Sequence, residues 1–84
     1  MEKVKCKFLC MSARELGNGH DYSVTMKPIH DDDPANESAR LWTIGPNHLP
    51  GAELGGHLML HVTNREARPM FEAGVHYYLE VTRV

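Results

Sequence analysis

A chain of 84 residues, 42 % hydrophobic and 24 % charged, makes a single domain over 1–84 and is too apolar for its charge to be disordered. Its net charge of −2 gives no general attraction for phosphates, which makes nucleic acid an unfavoured partner. No stretch approaches the roughly 20 apolar residues of a membrane span, and the start lacks a signal peptide's apolar core, so a cytoplasmic protein without membrane contact is expected.

Residues 3 to 11, KVKCKFLCM, place Val4, Cys6, Phe8 and Cys10 on one parity and Lys3, Lys5 and Lys7 on the other, which predicts a half-buried strand. Gly17-Asn18-Gly19 then offers the positive-φ positions of a tight reversal. A second strand over 21 to 29 alternates Tyr22, Val24 and Met26 with Ser23, Thr25 and Lys27, and Pro28 either ends it or sets it at an edge. An acidic loop with Asp31, Asp32, Asp33 and Pro34 follows, in which Asn36 is placed to cap a helical turn over 37 to 40.

The apolar run LWTI, 41 to 44, reads as a short strand, and the Gly- and Pro-rich 45 to 56 as a long connection. Residues 57 to 63 alternate Leu58, Leu60 and Val62 with His57, Met59, His61 and Thr63, a further strand. Asn64 then predicts the start of a one- to two-turn helix that stops at Gly74, with Pro69 distorting it. The last strand sets Val75, Tyr77, Leu79 and Val81 inward and His76, Tyr78, Glu80 and Thr82 outward. The expected fold is mainly β: a small antiparallel five-stranded roll or partly open barrel with one short helix before the last strand. The five-stranded OB barrel carries its helix elsewhere, between its third and fourth strands.

His57 and His61 have the spacing at which a helix brings two imidazoles about 6 Å apart, within reach of one zinc ion. On a strand the same spacing separates them by roughly 13 Å, too far for shared chelation. Gly55-Gly56 before the pair, the alternation through it and Val62-Thr63 after it favour the strand. Cys6 and Cys10, also four apart on a strand, are beyond disulfide reach and are expected to pack in the core. The aspartate run lacks the alternation and glycine of a calcium loop, and no serine or cysteine sits in a nucleophile pattern. No catalytic residue, metal ligand or cofactor is therefore expected.

Binding is the remaining use of these residues. With the strand over 57 to 63 and the last strand as sheet neighbours, His57, Met59, His61, His76 and Tyr78 decorate their outward face, the composition of a contact surface, and Asp31, Asp32 and Asp33 suit pairing with arginines on a partner. Tyr22, Trp42, Tyr77 and Tyr78 would serve as stacking platforms if the partner were single-stranded nucleic acid. Exposed sheet edges also predict a homo-oligomer.

The C-terminal stretch NREARPMFEAGVHYYLEVT resembles the ending of a group of small bacteriophage and prophage proteins, on Asn64, Glu66, Ala67, Phe71, Glu72, Gly74, Tyr77 and Tyr78. The NHLPGAEL loop and Pro69 depart from that pattern. The resemblance implies a phage origin and action in the host cytoplasm. The leading expectation is a non-enzymatic binding protein that inhibits a host defence factor, by occupying a host protein surface or sequestering a small ligand. The alternatives are an OB-like single-strand-binding accessory protein and a virion structural component.

Overall fold

The structure, a computed structural model, describes residues 3–17, 21–45 and 54–84. Four strands form one antiparallel sheet among these residues: β1 Lys3–Glu15, β2 Tyr22–Pro28, β3 Leu58–Val62 and β4 His76–Thr82. Their spatial order, β3-β2-β1-β4, is that of a Greek key, in which the last strand returns beside the first. The sheet is strongly curled into an open half-barrel, so the expected mainly β, partly open architecture holds with four strands in place of five.

β1 carries the sheet. Its residues Phe8 to Glu15 pair with β2, while Lys3 to Leu9 pair with β4. Cys10 lies opposite Met26, but the next pair is Ser12 with Thr25, which leaves Met11 as a β-bulge. The extra residue resets the parity: Cys6, Phe8 and Cys10 face inward before it, and Ala13, opposite Val24, faces inward after it. For this reason the strand runs past residue 11, where the simple alternation stops. The reversal into β2 falls partly outside the described residues, at Asn18 and Gly19, but its closing bond, from Leu16 N–H to the Asp21 carbonyl at 2.8 Å, makes the hairpin.

The fifth strand is absent at 41 to 44. Ser38–Arg40 forms a 3-10 turn, and both Leu41 and Trp42 donate their backbone N–H to the Ser38 carbonyl at 3.0 Å, so these donors are taken from any ladder. Trp42 is half-buried and its indole N–H instead donates to the Gly55 carbonyl at 2.7 Å, tying together the two ends of the long connection. Most of that connection, 46–53, lies outside the described residues.

The expected helix after Asn64 shrinks to a 3-10 turn over Arg68–Met70. Asn64 does open it, its Oδ1 accepting the Glu66 N–H at 2.9 Å and its carbonyl the Ala67 N–H at 3.1 Å. Pro69 has no N–H to continue a helical ladder, and Phe71 is already extended. Gly74 then takes a φ of +88°, as a closing residue should, and donates to the Cys10 carbonyl at 2.9 Å.

The core sits on the concave face, around fully buried Cys10, Val24 and Met26. Phe8, Tyr22, Leu60, Val62, Tyr77, Leu79 and Phe71 pack against it but stay half-buried, because the half-barrel does not close over them. The 63–75 connection covers one end. There the Phe71 and Tyr77 rings meet at 5.9 Å, and the Tyr77 hydroxyl donates to the Met70 carbonyl and accepts the Glu72 N–H. The Arg68 guanidinium lies 5.5 Å over the Tyr22 ring at the same end.

Candidate functional site

The acidic loop is a structural device as well as a charged surface. β2 stops at Pro28, opposite Phe8, and leaves the edge of β1 from Lys3 to Lys7 without a strand beside it. The loop replaces that strand. Ile29 N–H donates to the Lys7 carbonyl, Lys7 N–H to Asn36 Oδ1 at 3.0 Å, Lys5 N–H to Glu37 Oε1 at 2.7 Å, and Glu37 N–H to the Lys5 carbonyl. Arg40 donates to the Lys3 carbonyl at 2.7 Å. Asn36 therefore does not cap the turn that follows it; the residue at the cap position is Glu37, which makes no side-chain cap bond.

Two of the three aspartates face inward to a single ammonium. Lys7 Nζ lies 2.6 Å from Asp31 Oδ2 and 2.9 Å from Asp33 Oδ2, and the Tyr78 hydroxyl, from the neighbouring position on β4, donates to Asp33. Lys5 Nζ lies 5.0 Å over the Tyr78 ring. Burial raises the Asp31 carboxyl, but bonds from Lys7, Asn36 and the Asp33 N–H outweigh it and hold it below the usual range. The Tyr78 hydroxyl, then Lys7 and the Ala35 N–H, hold Asp33 far lower. Lys7 is raised by the same two carboxylates, and Tyr78 is raised because its proton is held by Asp33. Glu37 is lowered by the Lys5 backbone N–H.

Of the residues expected to contact a partner, the structure thus joins Asp31, Asp33 and Tyr78 in one network, while Asp32 is exposed beside it. It does not bring Tyr78 to Met59 and His61. β3 and β4 are the two opposite edges of the sheet, not neighbours as the outward-face reading assumes, and the register places Met59 beside Thr25 but Tyr78 beside Lys7. His57 is exposed just before β3, and His61 lies within it, paired with Asp21 at 3.1 Å. Extended backbone sets Cα atoms four residues apart at roughly 13 Å, and among the described residues no group of three His, Cys, Asp or Glu comes together to hold an ion.

Cys6 and Cys10 are buried, as their parity predicts, and burial pushes both thiols up, away from the thiolate a nucleophile needs. The polar tips of the four aromatics considered as stacking platforms are all engaged: Tyr22 with the Ala13 carbonyl, Trp42 with Gly55, Tyr77 with Met70 and Tyr78 with Asp33.

The concave face adds a feature that alternation alone does not reveal. At the end away from the 63–75 connection, Cys6, Phe8, Leu58, Leu79, Val81 and Leu41, with Glu80 beside them, line a largely apolar groove of about 260 Å³. Leu41 and Val81 stand at its rim, 52 % and 64 % exposed. The sequence pattern points Leu58, Leu79 and Val81 inward correctly; it does not show that the sheet stops short of covering them, which depends on the missing fifth strand. The counter-ion role of Lys7 was readable only as a charge match between the lysines of KVKCK and the aspartate run.

Compared with protein-family models, curated proteins and solved structures, the chain finds no match.

Proposed function

We propose that this chain is a non-enzymatic, phage-type binding protein that inhibits a host protein, a defence factor, by taking one of its apolar side chains into the groove of the half-barrel. The observation that carries the reading is the conjunction of an apolar cavity with two large, half-exposed apolar residues, Leu41 and Val81, on its rim. A small domain that leaves such a patch uncovered has the surface of a contact site. The volume, about 260 Å³, is below the usual range of small-molecule pockets, so a partner's side chain fits the groove better than a free ligand does.

The charge arrangement argues in the same direction. Lys7 is taken up by Asp31 and Asp33, Lys3 faces Glu80 at 3.3 Å, and Arg40 faces Glu37 at 3.4 Å. Two of the three lysines of the stripe, Lys3 and Lys7, are therefore paired with carboxylates, and Lys5 lies 5.0 Å over the Tyr78 ring, which reduces the charge the stripe offers to phosphates. Affinity capture from host lysate with the wild-type chain and with Leu41→Glu tests the reading. A host protein held by the first and lost by the second is expected, together with no mobility shift of single-stranded DNA at low salt. Equal capture by both chains, or a salt-sensitive shift, overturns it.

A further inference from the structure

The hydrogen-bond directions along β1 determine what β4 leaves free. Lys5 and Lys7 turn their backbone groups toward the acidic loop, bonding Glu37, Asn36 and Ile29. By strand alternation, Val4, Cys6 and Phe8 turn theirs toward β4, as Cys10 does in bonding Gly74 and Val75. Their partners Val81, Leu79 and Tyr77 are spent on that ladder. The outer edge of β4 thus presents the N–H and C=O groups of His76, Tyr78, Glu80 and Thr82, and β4 pairs with no strand but β1 among the described residues.

Natural sheets protect such an edge with Pro, Lys, a bulge or a covering loop. The free edge of β1 has its loop. Among the described residues β4 has none of these devices, and at seven residues it is longer than β3, the five-residue strand at the opposite edge. Its exposed apolar residues cluster along it, Val75 at 37 %, Tyr78 at 44 % and Val81 at 64 %.

We infer that β4 pairs antiparallel with β4 of a second copy of this chain, about a two-fold axis through Tyr78, joining two half-barrels into one continuous sheet. The sequence of the strand selects both the occupant and the register. With Tyr78 on the axis, Tyr77 meets the second copy's Leu79 and Val75 meets its Val81, all on the concave, apolar face. On the other face His76 meets the second copy's Glu80, whose carboxylate also faces Lys3 of its own chain at 3.3 Å, so an imidazole N–H faces a carboxylate, twice per dimer. A shift that puts Leu79 on the axis sets Arg83 against Val75 on the apolar face and parts His76 from Glu80. The inference concerns the edge of the sheet and shares Leu79 and Val81 with the groove, but self-association and the capture of a host protein are read by separate measurements.

Sedimentation equilibrium of the full chain tests it. A dimer is expected, weakened about tenfold by Glu80→Lys, which sets Lys against His76, and by His76→Glu, which sets two carboxylates together. The double variant H76E/E80K, which swaps the pair, is expected to recover most of the affinity. Oxidation of Tyr78→Cys should cross-link two copies, since hydrogen-bonded strand partners hold Cα atoms about 5.5 Å apart, within disulfide range. A chain that stays monomeric at its solubility limit overturns the inference. So does a dimer that the double variant fails to rescue, or one that cross-links through Met59→Cys on β3 in place of Tyr78→Cys.

Discussion

Asn36 serves Lys7 as a strand would: its side-chain oxygen accepts the Lys7 backbone N–H at 3.0 Å, where β2 has already ended. Its amide nitrogen donates in turn to the Ile29 carbonyl at 3.0 Å and to Asp31 Oδ1 at 3.1 Å, so one residue satisfies three groups. Asn36→Ala removes this partner from the Lys7 N–H and the Ile29 carbonyl, while Asp31 Oδ1 keeps the Asp33 N–H at 3.2 Å, and is expected to destabilise the chain by about 1–3 kcal/mol. Urea unfolding at unchanged slope measures it. A loss within about 0.5 kcal/mol, the range of a neutral surface change, would remove Asn36 from this role.

The same loop sets the response to acid. Asp31, Asp33 and Glu37 are all held below the ordinary carboxylate range when folded. Their contribution to stability is fully present above the unfolded value near 4 and disappears as pH falls through the folded values, because the folded state resists protonation that the unfolded chain accepts. The urea midpoint is therefore expected to decline below about pH 4. Asp33→Asn should flatten that decline and lower the midpoint at neutral pH, where Lys7 and Tyr78 lose a charged partner. An acid limb identical in the two proteins would contradict the assignment.

Thiol chemistry distinguishes packing cysteines from reactive ones. Both thiols are buried on β1 and pushed above their usual pKa by that burial. In the folded protein neither should react with a disulfide reagent at neutral pH on the minute timescale, and both should react in denaturant. Rapid native labelling of Cys6 or Cys10 would show that the half-barrel opens far more readily than its packing implies.

Gly74 joins the last turn to β4 at a φ of +88°, while its N–H reaches Cys10 on β1. A Cβ there meets no neighbour within 4 Å, so the effect of substitution isolates the backbone. Gly74→Ala is expected to cost about 1–2 kcal/mol, and Gly74→Asn less, since asparagine visits the left-handed region more readily. Thermal unfolding of the two variants checks the order.

The strands were legible where burial imposes strict alternation, as in residues 3 to 10, 22 to 28, 58 to 62 and 76 to 82. Sequence reading stopped β1 early because Met11 breaks the phase, and a period-two pattern cannot distinguish a bulge from an end. It promoted LWTI to a strand because four apolar residues resemble one, while the carbonyl of Ser38 that occupies their donors is a matter of geometry. Gly74, Asn64 and Pro69 announced the turn before β4, each through a local backbone property that needs no tertiary context. The strand order was not legible. Nothing in the alternation of β3 and β4 says whether they touch, and the joint face of Met59, His61 and Tyr78 depended on that adjacency.

Met11 is the one residue of β1 with no partner on β2 although its neighbours on both sides have one. Excising it would bring Ser12 to Thr25 and Ala13 to Val24 in unbroken succession, so every cross-strand partnership would survive a chain one residue shorter. What would be lost is bend: the ribbon would straighten and the hollow beneath it would grow shallower. Shape and cohesion in this molecule are thus written at separate positions, and a lineage could reshape its hollow by gaining or shedding a single codon there while its ladder stays whole.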